Sequence, residues 1–154
     1  MHSLETLIAQ LEAAVPQFEK INPSISKSNI GWHIDHTLMV LIGIIDTTSK
    51  TDPSKYKWEF NFKRFVVMAR RKIPRGKATA PKSVQPLGDF TQESLLHKIE
   101  KAKSKLEELK QLPSDKYFPH PGLGNMKLKQ MIKFLEIHTK HHLRIIEEIF
   151  LSEE

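Results

Sequence analysis

The sequence predicts an all-α fold, a four-helix bundle with a long, partly helical crossover between its second and third helices. Three stretches carry this prediction. Across residues 131–150 the apolar side chains recur at the spacing of one helical face. Residues 30–46 are apolar nearly all round, which is typical of a buried helix. Residues 95–109 place apolar side chains in steps of four and three, the spacing that packed helices share.

The other elements are predicted from capping and helix-breaking residues. The first helix should end or kink near Pro16, because proline interrupts helical hydrogen bonding. We expect Ser28 or Asn29 to cap the second helix and Thr91 to cap the third. The segment 117–125 contains proline and glycine and is interpreted as a loop before the last helix. No alternating apolar pattern predicts a strand anywhere in the chain.

A long connection, residues 47–90, joins the second and third predicted helices. Connections of this length are usually functional or partly structured. Apolar residues within 58–71 recur at helical spacing, so we expect a short helix there. The whole chain, residues 1–154, is interpreted as one domain with a basic insertion at about residues 50–90.

The composition limits the classes of protein that the chain can belong to. It has 154 residues and no cysteine, so disulfides and thiolate ligands are excluded and a metal must be held by His, Asp or Glu. The longest apolar run, residues 38–45, is far shorter than the ~20 residues that cross a bilayer. The first 15 residues lack the pattern of a signal peptide. We therefore expect a cytoplasmic protein with no membrane partner.

Positive charge is concentrated in the insertion. Residues 52–82 hold ten basic residues against two acidic ones, within a chain whose net charge is +6. Aromatic residues are interleaved with these cations, as in surfaces that bind nucleic acid or another polyanion. The alternative is a solvated charged face whose aromatic residues pack within the insertion itself. The cations and aromatics concerned include Lys63, Arg64, Arg70, Arg71 and Lys72, and Tyr56, Trp58, Phe60, Phe62 and Phe65.

Two histidines interrupt the apolar face of the last helix. His138 and His142 are four residues apart, so both rings point toward the side that the helix should bury. A buried imidazole without a partner costs a few kcal/mol, and a metal ion is a partner that two adjacent rings can share. A third ligand would come from the second helix, as His36 or His33. The alternative is that these are core histidines bonded to backbone groups or carboxylates.

Further polar and aromatic residues are candidates for the surroundings of this site, among them His33 if it is not itself the third ligand. Trp32 shares a helical face with the candidate ligand at position 36 and could line a pocket. Asp35 projects about 100° away from that ligand, as a charge near the helix end or a partner of a ligand. His120 lies on the predicted loop and His141 lies just off the apolar face, as loop-packing or ligand-supporting residues. No general acid or base is evident.

Two motifs together resemble a known superfamily. Asn29 precedes His36 by seven residues near the start of the second helix, and H-x-x-x-H joins His138 to His142 in the last helix. This pattern, with the helix order and the long crossover, resembles the DinB/YfiT-like superfamily of four-helix metalloproteins. The segment HPGLG at 120–124, followed by HTKHHL, further resembles an uncharacterised branch of it.

The resemblance implies a metal triad, an activity and a type of partner. The triad is carried over onto His36, His138 and His142, with a divalent metal, zinc or nickel. The implied activity is that of a metal-dependent transferase using a thiol, or of a hydrolase, acting on a small molecule rather than on nucleic acid. Homodimers are common in the superfamily. Many members carry Arg-Gly-Gln after the last ligand, whereas this chain has Leu-Arg-Ile at residues 143–145.

Overall fold

The computed structural model describes residues 2–76 and 82–152, with the backbone alone at residues 2, 3 and 83. These residues are mostly helical, in agreement with the predicted all-α class, and they include one small antiparallel sheet. The helices are α1 (His2–Ala14), α2 (Ile30–Lys50), α3 (Phe62–Arg70), α4 (Gln92–Lys110) and α5 (Leu128–Leu151), and the strands are β1 (Tyr117–His120) and β2 (Gly124–Lys127).

One apolar core is shared by the four longer helices. Helix α2 packs against α4 and α5, and α1 packs against the same two helices. The apolar spacing of the sequence sets this arrangement, because each helix buries the face on which its aliphatic residues recur. The side chains that are almost fully buried include Leu4, Ile8 and Leu11 of α1, Ile34, Leu38, Leu41 and Ile45 of α2, Leu95, Ile99 and Leu106 of α4, and Met131, Leu135 and Ile149 of α5.

Capping side chains fix where α2 and α4 begin. The Oδ1 atom of Asn29 accepts a hydrogen bond of 2.9 Å from the Trp32 N–H, so Asn29 rather than Ser28 is the cap of α2. Thr91 and Ser94 form a reciprocal capping box at the start of α4. Helix α2 continues to Lys50, beyond the predicted end at residue 46, and within its last turns the Thr48 hydroxyl donates to the carbonyl oxygen of Ile44.

The prediction of a loop at residues 117–125 was wrong. Strands β1 and β2 pair antiparallel there, with Tyr117 opposite Lys127 and His120 opposite Gly124. The two strands, YFPH and GNMK, do not alternate apolar and polar side chains, which is why no strand was predicted there. Gly124 ends the tight turn with a φ of 71°, a backbone conformation that glycine adopts without strain.

The short helix expected in the crossover is present as α3, and it ties the crossover to the hairpin. The buried guanidinium of Arg64 donates through Nη1 to the carbonyl oxygens of Leu123 at 3.1 Å and Asn125 at 2.7 Å. Through Nη2 it also donates to the carbonyl of Glu59. Arg64 therefore does not belong to an exposed cationic surface, and its expected place there is corrected.

Packing within the insertion, which one interpretation expected, joins the rings of Phe60 and Phe65, whose centroids lie 6.4 Å apart, yet most of the aromatic side chains there are exposed. Trp58 is 70% exposed, Phe62 is 68% exposed and Phe65 is 59% exposed, and Phe60 is similarly open to solvent.

No helix in the described ranges has both the length and the apolar character needed to cross a bilayer.

Candidate metal centre

Three histidines from two helices converge inside the core. His36 extends from α2, and His138 and His142 extend from consecutive turns of α5. One potential ligand nitrogen from each ring lies within 4.8 Å of the other two. The ring centroids of His138 and His142 are 4.7 Å apart, and that of His36 lies 5.3 Å and 4.8 Å from them. The structure thus brings together the three residues of the predicted triad.

A main-chain carbonyl orients the His36 ring. The Nδ1 atom of His36 lies 2.6 Å from the carbonyl oxygen of Val84, at the far end of the crossover. A carbonyl only accepts, so Nδ1 carries the hydrogen and Nε2 keeps its lone pair. This is the usual arrangement behind a metal-binding histidine, in which the second nitrogen is held by a hydrogen bond.

A chain of hydrogen bonds connects His142 to the loop before α2. The Nδ1 atoms of His142 and His33 are 3.0 Å apart, and the Nε2 atom of His33 is 3.0 Å from the hydroxyl of Ser26. That hydroxyl also accepts the N–H of Ser28 at 3.1 Å. The sequence pointed to His33 as an alternative ligand or as a residue beside the site, but nothing in its position on a buried helix indicated a contact with His142.

The third histidine has a nitrogen without a hydrogen bond. In the described part of the chain, Nδ1 of His138 is buried and has no hydrogen-bond partner. Leaving such a group buried costs about 1–3 kcal/mol. The alternative of an ordinary core histidine predicts a backbone or carboxylate partner here, and none is present among those residues. A metal ion would supply the missing partner, so the donor set fits one.

Burial keeps the rings neutral and able to bind a cation. It lowers the pKa of His138 to about 3, and repulsion from His36 adds to this effect. Burial likewise lowers the pKa of His33 to about 4 and depresses the pKa values of His36 and His142. Neutral imidazoles offer their lone pairs at pH 7, so protons do not compete with a metal there.

Trp32 covers one side of the cluster. Its ring is stacked on that of His36, with centroids 4.9 Å apart and planes at 15°. It meets the ring of His33 edge-on at 5.2 Å. Trp32 also lines a surface cavity of about 300 Å³, together with Lys27, Asn29 and Phe90. The residue therefore connects the cluster to a recess at the protein surface.

The other candidates have separate roles. The buried carboxylate of Asp35 pairs with Lys98 of α4 and acts on His36 only through its charge. His120 accepts the N–H groups of Gly122 and Leu123 through Nδ1, which stabilises the hairpin turn. The half-buried His141 ring meets that of His142 edge-on at 5.0 Å. None of these three belongs to the set of converging nitrogens in the described residues.

Fold and site together define a mostly helical protein with a buried three-histidine cluster able to hold a metal ion. The chain belongs to the DinB superfamily, whose family model matches residues 2–146. No curated protein and no solved structure matches the chain.

Proposed function

We propose that this protein is a metal-dependent enzyme, built as a four-helix bundle, in which His36, His138 and His142 hold a divalent ion, zinc or nickel. The reaction is a thiol-dependent transfer or a hydrolysis of a small molecule. The observation that carries the proposal is the buried Nδ1 of His138, which has no hydrogen bond among the described residues and belongs to a ring that lies beside two further imidazoles. The membership in the DinB superfamily supports it.

The protein's residues provide a pre-formed set of neutral donors. The Val84 carbonyl fixes the tautomer of His36, so its Nε2 presents a lone pair without any rearrangement of the main chain. A bound divalent ion acts as a Lewis acid, which lowers the pKa of a water or a thiol and yields a nucleophile at neutral pH. Because the chain contains no cysteine, a thiol nucleophile would have to arrive as a cosubstrate.

The surroundings of the cluster support a small substrate. Trp32 stacks on the ring of His36 and also lines the cavity of about 300 Å³. That volume is at the lower end of the range for small-molecule sites, which are about 300–1,000 Å³. Aromatic walls beside a charged centre bind the apolar part of a ligand while the centre engages its polar group.

Metal analysis of protein purified without an affinity tag tests the proposal. We expect about one equivalent of zinc or nickel per chain, and its loss in the His36→Ala and His142→Ala variants. His97→Ala is the matched control, because His97 is exposed on α4. Full metal content in both ligand variants would rule the centre out. A screen of low-molecular-weight thiols with electrophiles then identifies the reaction.

A second candidate function is supported by the exposed aromatic residues of the insertion. Trp58, Phe62 and Phe65 are solvent-exposed beside cations that are also exposed, a combination suited to stacking on bases and pairing with phosphates. We propose that this surface binds nucleic acid or another polyanion. The exposed cations, without Arg64, include Lys57, Lys63, Arg70, Arg71 and Lys72.

A retardation assay with a single-stranded oligonucleotide at ~50 and ~200 mM salt tests this second function, because phosphate binding weakens steeply as salt rises. We expect binding at the lower salt concentration that is lost when Arg70 and Arg71 are both replaced by Glu. The control is Lys129→Glu, at an exposed position on α5. No retardation of the wild-type protein at low salt would exclude the function.

A further inference from the structure

We infer that His33 is a positioning residue for the metal centre: it accepts the Nδ1–H of His142 and thereby directs the Nε2 lone pair of that ring at the ion. This role rests on the proposed metal-dependent function and goes beyond the triad. It adds a fourth histidine, which is buried on the same helix as His36, to the groups that determine metal affinity.

The geometry of the pair requires that one ring donates to the other. The two Nδ1 atoms are 3.0 Å apart, a hydrogen-bond distance, and two nitrogen lone pairs at that separation would repel each other. Only one of the facing nitrogens therefore carries the hydrogen. If His33 held it, His142 would carry its own hydrogen on Nε2 and could not bind a metal through that atom. Metal binding through Nε2 thus requires His33 to be the acceptor.

The other end of His33 is compatible with this assignment. With Nδ1 as the acceptor, the hydrogen of His33 lies on Nε2 and is donated to the Ser26 hydroxyl oxygen at 3.0 Å. A hydroxyl oxygen has two lone pairs, and the N–H of Ser28 uses the second at 3.1 Å. His142 therefore donates to His33, and His33 donates to Ser26, so each hydrogen in this chain has an acceptor.

The surroundings of His33 hold the ring in this position. It is buried in α2, and the Trp32 ring meets it edge-on at 5.2 Å. The loop residue Ser26 is partly exposed, so the chain of hydrogen bonds runs from near the surface to the cluster. Hydrogen-bond partners of this kind change metal affinity by 10–100-fold when they are removed.

Replacing His33 by Asn or by Leu, which are similar in size, distinguishes the loss of a hydrogen-bond acceptor from the loss of packing. Asn places a carbonyl oxygen near the position of Nδ1, whereas Leu fills similar space without any acceptor. Zinc dissociation constants are measured by competition with a chelator on tag-free His33→Asn, His33→Leu and wild-type protein. We expect the constant to rise about 10–100-fold in His33→Leu and to stay close to wild type in His33→Asn. His97→Ala serves as the control for a histidine outside the site.

Nitrogen-detected NMR of the histidine rings supplies a readout that does not depend on a metal. We expect His142 to carry its hydrogen on Nδ1 and His33 to carry its hydrogen on Nε2, with or without zinc. The opposite tautomers, or a His33→Asn variant as weak as His33→Leu, would overturn the inference. Wild-type protein that fails to bind zinc or nickel would instead overturn the proposed function, while the tautomers would still decide the role of His33.

Discussion

Gly31, in the first turn of α2, lies against the ring of Phe90. A Cβ atom at this glycine would be 2.4 Å from Cε2 of Phe90 and 3.1 Å from the carbonyl oxygen of Phe18. The N–H of Gly31 also donates to that same carbonyl at 2.7 Å. The absence of a side chain at position 31 therefore allows the end of the crossover to pack beside the first turn of α2, where Phe90 and Trp32 line the same cavity.

Gly31→Ala should destabilise the protein and displace Phe90. We expect a loss of about 1–3 kcal/mol in the free energy of unfolding, the usual cost of overpacking. Gly43→Ala is the matched control in the same helix, because its added Cβ would meet nothing within 4 Å. Alanine there should raise stability by up to about 1 kcal/mol. Urea unfolding of both variants makes the comparison, and equal effects would contradict the packing at Gly31.

Arg64→Met should loosen the connection between α3 and the hairpin. The variant leaves the carbonyls of Glu59, Leu123 and Asn125 without their donor, at a cost of about 1–3 kcal/mol for a buried unpaired group. Hydrogen exchange should become faster in β1 and β2. Lys63→Met removes a neighbouring but exposed cation and should leave both measurements unchanged. Unaltered exchange in Arg64→Met would count against this role.

The metal-free protein should lose stability as the pH falls below about 6.5. Burial lowers the pKa of His33 to about 4 and that of His138 to about 3, from 6.5 in the unfolded chain. Below pH 6.5 the unfolded state binds more protons than the folded state. The stability that depends on the neutral rings is therefore complete above pH 6.5 and is lost as the pH falls toward the pKa values of the folded protein. Each ring contributes up to about 1.4 kcal/mol per pH unit.

Denaturant unfolding of the metal-free protein between pH 7.5 and about 5 tests this, a range in which most carboxylates stay ionised. The free energy of unfolding should be nearly flat above pH 7 and should fall increasingly steeply below about 6.5. A profile that remains flat down to pH 5 would mean that the histidine rings are not held neutral by the fold.

Zinc should raise the melting temperature, because an ion that binds only the folded state stabilises it. At a free concentration 1,000 times the dissociation constant the gain is about 4 kcal/mol. A chelator should reverse the shift, and His142→Ala should abolish it. Differential scanning fluorimetry of tag-free protein gives the measurement. A zinc-dependent shift that persists in His142→Ala would place the ion elsewhere.

The helices were predictable because their signals are local. The spacing of Leu95, Ile99 and Leu106 in α4, and the cap at Asn29, follow from the geometry of a single helix. The hairpin was not predictable, because Arg64 supplies hydrogen bonds to the main chain at its turn. Arg64 is more than 50 positions away in the sequence, so no local pattern shows this contact. The sequence left the exposure of Trp58 open, because a local pattern does not show which aromatic side chains find a partner.

The site was predictable only in part. The four-residue spacing of His138 and His142 gave two members from the sequence alone, and the resemblance selected His36. The contact between His33 and His142 joins residues 109 positions apart, and no pattern within either helix encodes it. Contacts of this kind depend on the rotation of α2 against α5, which packing of the whole core determines.

The acceptor that holds His36 belongs to the main chain, so no change of side chain at position 84 can remove it. A substitution there leaves the acceptor in place, so the orientation of the His36 ring should be insensitive to the residue type at position 84. It depends instead on the short helical turn Lys82–Val84, which brings this carbonyl to the imidazole.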